Sequence, residues 1–258
     1  MRNPVKMNAG RGRGLNRVFS DELSPLALDM LVLDAGDSFE LDTAGFETAI
    51  VPMKAQVEVL CEGRFFTLKR EDVFSSRASS VCLPRDCKAT IRASSYSELA
   101  LCKARTDEKG EAFLVSPAQV REKTVGRQLW ERKVVDIIGP DQNASRLVLG
   151  ETFNQPGGWS SFPPHKHDTP VPGHEVRMEE VYLFRLNPAE GFGTQTIYGE
   201  EGSFSFMVGD YDAVTIPWGY HPVSAMPGYG LYYLWFLAGD GRTLMPNTDP
   251  NFKWLEER

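Results

Sequence analysis

Histidine is scarce in this chain and unevenly placed. Its four copies, His165, His167, His174 and His221, all fall in the C-terminal half. Cysteine is equally sparse and confined to the N-terminal half, as Cys61, Cys82, Cys87 and Cys102, with no Cys-x-x-Cys pair. That pattern argues against a thiolate zinc ribbon and fits reduced, buried thiols of a cytosolic protein. No run of about 18 apolar residues occurs, and no apolar segment stands behind Met1-Arg2-Asn3. Neither membrane insertion nor secretion is therefore expected. Basic residues are also in deficit: 28 Lys and Arg against 35 Asp and Glu leave a net charge of −7. A phosphate backbone is met by clustered Lys and Arg, so nucleic acid is not an expected partner. The short patch around Arg11 and Arg13 does not alter that.

Turn-forming residues, by contrast, are plentiful, with 23 Gly and 17 Pro in 258 residues. They interrupt many short apolar stretches, which predicts an all-β protein. Two similar passages can be traced, one from Leu31-Val32-Leu33 and one from Leu147-Val148-Leu149. The polar stretch Thr106–Glu111 reads as a linker between them. The expected organisation is two tandem jelly-roll barrels from a duplicated ancestor, at 1–115 and 116–258. Ser24–Met30 and Ser116–Glu122 are the best candidates for short helical turns, each with a Ser cap before Pro.

The chemistry gathers in the second half. In an extended Pro164-His165-Lys166-His167 the two imidazoles share a face and Lys166 takes the other. A carboxylate heads the apolar strand Glu179-Glu180-Val181-Tyr182-Leu183-Phe184, and the turn Pro217-Trp218-Gly219-Tyr220-His221 delivers a further imidazole. A lone histidine is more often packed or solvated than a ligand, and His174, on a Pro- and Gly-rich loop, is read that way. The other three with one carboxylate suit a divalent metal: Zn2+ first, with Mn2+ or Fe2+ as alternatives. If the halves are equivalent, Pro84-Arg85-Asp86-Cys87 occupies the place of the His221 turn, so only the second barrel can hold the ion.

The segment Gly157–His167, the Glu-Glu-Val-Tyr strand and the Gly209–His221 stretch resemble the two motifs of the cupin superfamily. More narrowly, Pro-Pro-His-Lys-His-Asp, the Glu-Val-Tyr strand and the chain length resemble the 5-deoxyglucuronate isomerase family of bacterial myo-inositol catabolism, related to the 4-deoxy-uronate ketol-isomerases. The resemblance implies His165, His167, Glu180 and His221 as metal ligands, with Glu179 as the competing carboxylate. It implies conversion of 5-deoxy-D-glucuronate to 5-dehydro-2-deoxy-D-gluconate, an aldose–ketose isomerisation by an intramolecular oxidoreductase. The chain departs from common cupin spacing in the long insertion at 168–179 and in a Pro-x-Gly-x-His turn.

Such a reaction needs a Lewis acid at the C1 and C2 oxygens and a proton carrier beside it. Glu179, His174 and Tyr182 are the leading candidates for that carrier, with Glu175 and Tyr220 also within range. The remote carboxylate of a sugar acid calls for a cation, and Arg177 and Arg185 are nearest in sequence. Two other readings use the same scaffold: an Fe(II)-dependent cupin dioxygenase, and a non-catalytic sugar-binding bicupin. A homo-oligomer in the cytoplasm, with a small sugar acid as its partner, completes the expectation.

Overall fold

The structure, a computed structural model, describes residues 2–256. It is built of antiparallel strands, and among the described residues the helices are two short 3-10 turns, Gln128–Trp130 and Pro250–Leu255. The expected all-β architecture is therefore observed, but neither expected helical turn forms. Leu26–Leu33 is a strand, buried along its whole length and paired on both edges, with Gly14–Phe19 and Ser97–Arg105. An eight-residue run, apolar except for Asp29, which pairs with Lys103, gains more as a central strand with neighbours on each side than a single helical turn offers. Ser116–Val120 is turn and coil, followed by the strand Arg121–Val125.

Two compact units divide the chain. One comprises Ala9–Arg121 and Asp136–Leu149; the other comprises Met1–Asn8, Glu122–Val135 and Gly150–Arg258. The units thus depart from the contiguous 1–115 and 116–258 expected from sequence, because each claims a segment from across the linker. The physical ties are specific. Buried Glu47 accepts the backbone N–H groups of Ser145, Arg146 and Leu147 at 2.5, 2.9 and 2.9 Å, which fixes the 145–147 segment in the first unit. Lys6–Asn8 pairs with Asp212–Ile216, which draws the N-terminus into the second.

In the first unit the 16-residue strand Phe46–Cys61 serves two groups of partners. Its first half pairs with Ser97–Arg105 and Ser80–Leu83, and its second half with Arg64–Arg70 and Lys88–Ala93. The register shifts between Pro52 and Lys54. Proline removes a ladder donor there, and the bulge lets one strand turn from one sheet to the next. The interior is apolar: Leu31, Ile50, Val59, Leu68, Ile91 and Leu101 are all fully buried in one cluster.

In the second unit the larger sheet runs Lys6–Asn8, Asp212–Ile216, Met178–Asn187, Gly230–Gly239, Val148–Asn154, Arg132–Ile138, Arg121–Val125. A four-stranded sheet contains Trp159–Ser160, Val223–Ala225, Gly193–Gly199 and Gly202–Val208. The two meet through side chains: the Tyr233 hydroxyl donates to Ser160 Oγ at 2.9 Å, and Leu231 lies against Gly193, where a Cβ would come within 2.3 Å of it. The aromatic strand Gly230–Gly239 is core, with Tyr232, Tyr233 and Phe236 buried.

Candidate metal centre

Three backbone devices converge on one point inside the second unit. Glu180 lies in the middle of the larger sheet, opposite Ile216 on one side and Leu237 on the other, so its Cα cannot shift without breaking two ladders. His165 opens the strand His165–Lys166, which pairs with Asn247–Thr248. His167 follows, and its carbonyl accepts the Met178 N–H at 2.7 Å, docking the loop onto the head of the Glu180 strand. His221 leaves a turn in which Gly219 has φ +87°, and a Cβ there would sit 2.7 Å from the Tyr198 carbonyl oxygen, so only glycine fits.

Lys166 points away from the imidazoles, as strand alternation predicts, yet it is not a solvated cation. Its Nζ binds Asp168, Thr169 Oγ1 at 2.9 Å and Glu175 Oε1 at 3.0 Å. Asp168 Oδ2 in turn accepts the Gly219 N–H at 2.6 Å. This clamp ties the His-x-His strand to the His221 turn. Glu175 is buried and saturated within it, also accepting the N–H groups of Asp168 and Thr169 and the Asn247 amide.

The ligand atoms of His167, Glu180 and His221 lie within 4.8 Å of one another, and all three residues are buried. The His165 and His167 rings each stand 5.0 Å from the His221 ring, centroid to centroid. Each imidazole turns Nδ1 to a backbone carbonyl, His165 to Pro163 at 3.3 Å, His167 to Met178 at 3.0 Å and His221 to Gly219 at 2.8 Å. A carbonyl only accepts, so Nδ1 carries the proton and Nε2 presents its lone pair inward. His167 Nε2 then stands 3.2 Å and His221 Nε2 3.4 Å from the same carboxylate oxygen, Glu180 Oε2.

Lone pairs aimed at a carboxylate call for a positive charge between them. His221 Nε2 is buried with no hydrogen-bond partner. Burial pushes His221 down to about 3, with the neighbouring histidines adding to it and Glu180 opposing. His165 is likewise pushed down to about 3 by burial, then by His167 and Arg132. His167 moves the other way: burial opposes its protonation, but the bond to Glu180 and the carboxylate charge raise it. The Nε2 atoms of His167 and His221 with the Glu180 carboxylate, and the His165 ring beside them, fit a divalent first-row metal of the zinc, manganese or iron type.

Of the candidate proton carriers, Tyr182 is at this cluster. Its ring lies 6.1 Å from His221 and stacks on Tyr233 at 4.3 Å, and its hydroxyl shares a 2.9 Å hydrogen bond with Ser161 Oγ. Burial, then the Glu180 charge, raises the phenol well above its ordinary value. The other expectations are corrected. Glu179 alternates to the opposite face of the strand from Glu180. His174 is exposed on the loop that the Val171–Glu175 bridge closes. Arg177 is exposed and paired with Asp240 at 3.0 Å. Arg185, on the same strand face as Glu179, is paired with Asp210 at 2.8 Å and stacked over Tyr211. Both guanidiniums are committed to structural partners away from the imidazoles.

A cavity of about 480 Å³ opens beside His165, with Arg127, Trp130, Arg132, Phe162 and Thr248 in its walls. None of Arg127, Trp130 and Arg132 carries a local sequence signal. They sit in an ordinary charged stretch some 30 residues before the histidines, and only the fold brings them to the site.

Antiparallel sheets around an inward-facing histidine and glutamate cluster define a cupin barrel. An oxalate decarboxylase from Lactobacillus farciminis shares the fold, with a TM-score of 0.67 and 15% identity over 98% of this chain and 90% of that one. The chain belongs to the KduI/IolB family, whose family model matches residues 7–255. Relatives named 5-deoxy-glucuronate isomerase include one from Geobacillus kaustophilus (strain HTA426), 34% identical over 90% of this chain and 86% of the relative. Another, from Bacillus subtilis (strain 168), is 31% identical over 93% and 90%. A crystal structure of an IolB-like protein from Salmonella typhimurium LT2 matches with a TM-score of 0.92 and 30% identity, covering 97% of this chain and 98% of that one.

Proposed function

We propose that the protein is a metal-dependent 5-deoxy-glucuronate isomerase, converting 5-deoxy-D-glucuronate to 5-dehydro-2-deoxy-D-gluconate. The observation that carries the reading is the donor set: the His167 and His221 imidazoles, each held by a backbone carbonyl at Nδ1, stand at the Glu180 carboxylate, with the His165 ring 5.0 Å from that of His221. His165, His167, Glu180 and His221 would hold the ion. A divalent cation bound there supplies Lewis-acid polarisation of the substrate's C1 and C2 oxygens, with no change in oxidation state required.

The chain's own groups account for the rest. Tyr182 stays protonated across the physiological range, because burial and the nearby carboxylate penalise the phenolate. It is therefore a hydrogen-bond and proton donor to oxygen, backed by Ser161, and not the base that takes the C2 proton. Trp130, Phe162 and Pro163 give the cavity apolar walls beside His165. The isomerase reading is favoured over a dioxygenase or a non-catalytic bicupin by relatives of 30% identity and above over most of the chain. The oxalate decarboxylase likeness, at 15% identity, concerns the fold alone.

The test is anaerobic proton NMR of the purified protein with 5-deoxy-D-glucuronate, before and after chelation and divalent-metal add-back. Loss of the aldehyde signal to ketose signals only in the metal-loaded form is the expected result. No change in any metal form would remove the substrate assignment.

A further inference from the structure

The substrate of the proposed reaction carries a carboxylate far from the carbons that react, and both arginines nearest the motif in sequence are already neutralised by aspartates. Another guanidinium, in the cavity wall, has no such partner among the described residues. Arg132, half-buried at the start of the strand Arg132–Ile138, lines the cavity that also contains His165. Its Nη1 donates to the carbonyls of Trp130 at 3.1 Å and Phe162 at 3.0 Å, and no carboxylate among the described residues pairs with it. Burial holds the guanidinium below its ordinary range, partly offset by Tyr233 and Tyr182.

A charge desolvated without a counter-ion is unfavourable unless a ligand supplies one. The surroundings also keep this fork in place. Gly126 packs against it so closely that a Cβ would fall 2.7 Å from Arg132 Nη1 and 2.2 Å from the Trp130 carbonyl oxygen. The acid in the cavity wall, Glu256, is engaged by Thr248 Oγ1 at 2.5 Å. A second cation, Arg127, stands over the Trp130 ring with its guanidinium donating to the Leu255 carbonyl.

We propose that Arg132 is the specificity-determining residue that receives the substrate carboxylate, fixing a sugar acid in the cavity with its aldehyde end toward the imidazole cluster. Arg127 adds positive potential to the same wall. The choice of acid rests on the isomerase reading; the carboxylate subsite itself does not.

The experiment separates the two. Metal-loaded full-length protein and its Arg132→Met and Arg132→Lys variants are titrated by calorimetry with the acid whose C1 aldehyde has been reduced to an alcohol, which cannot isomerise. The same proteins are assayed with 5-deoxy-D-glucuronate and with the neutral 5-deoxy-D-glucose, and metal content is measured throughout. Arg132→Met is expected to weaken binding of the reduced acid and raise KM for the uronate by roughly 10- to 100-fold, the scale of a lost charge-assisted pair. Arg132→Lys recovers part of that loss, and metal content and activity toward the neutral sugar stay within about threefold of wild type. Equal losses on acid and neutral sugar would overturn the proposal and make Arg132 a support for the Phe162 and Trp130 carbonyls. Unchanged binding in Arg132→Met, or no binding of the reduced acid by wild type, would overturn it as well. Arg132-dependent binding of the acid without any isomerisation would sink the isomerase reading and leave the carboxylate subsite standing.

Discussion

The two barrels answer the same structural problem with different interiors. The first is filled by aliphatic side chains, with the thiols of Cys61 and Cys87 side by side among them. Burial, then Cys61, pushes the Cys87 thiol up to about 12, so it is neutral and inert. The second puts the imidazoles of His167 and His221 and the Glu180 carboxylate where apolar atoms would otherwise pack, leaving the buried His221 Nε2 without a hydrogen-bond partner. A barrel filled with aliphatics is finished by folding. One lined with converging lone pairs leaves polarity that a cation could satisfy, which makes it a candidate site.

Removing ligands from the second barrel should have the largest effect. His167→Ala, His221→Ala or Glu180→Gln is expected to abolish stoichiometric metal in elemental analysis and lower turnover by on the order of 10³-fold or more. Cys87→Ala in the first barrel should leave both unchanged, and metal loss in that variant would break the contrast. Next comes Glu47→Ala, which strips three N–H groups of their buried acceptor in the first unit. A stability loss of about 3 kcal/mol in urea unfolding, with metal content retained, is the expected outcome. Tyr182→Phe keeps the stack on Tyr233 and removes only the hydroxyl; kcat should fall about 10- to 100-fold with KM little changed. Arg177→Ala and His174→Ala, both exposed, should leave activity within about twofold, and a large loss in either would reopen the role of the 168–179 loop.

Acid should sharpen the comparison further, in the metal-free protein. His165 and His221 have folded-state values near 3 against an ordinary 6.5, so between those limits the unfolded chain binds protons that the folded chain refuses. Their contribution to stability is present above about pH 6.5 and is lost as pH falls toward 3. His167 is raised and works in the opposite sense, favouring the fold at low pH and losing that advantage as pH rises through its folded value. Two groups against one predicts a thermal midpoint that falls between pH 6.5 and 4.5 in the chelated protein. A double His165→Leu, His221→Leu variant should flatten that fall, and an unchanged slope would place the acid-sensitive groups elsewhere.

Much of the site was legible because its ligands sit in local motifs. His-x-His in an extended segment shares a face by strand alternation alone, and Pro-x-Gly-x-His needs only a tight turn to present its imidazole. The same alternation that favours Glu180 also disqualifies Glu179, since neighbours on a strand cannot both face inward. Arg177 and Arg185 misled for the opposite reason. Nearness in sequence to a motif says nothing about which aspartate a long cation will meet, and Asp240 and Asp210 come from distant strand ends.

By itself, then, the sequence determined the all-β class and pointed to His167, Glu180 and His221, whose side chains the fold brings together. Each follows from periodicity, turn chemistry or spacing within a few residues. Only the tertiary structure decided that Leu26–Leu33 is a central strand, that Glu47 captures the 145–147 backbone, and that Arg132 and His165 line one cavity. Those outcomes depend on which surfaces lose water together, and residues far apart in the chain settle that jointly, through burial and the pairing of charge.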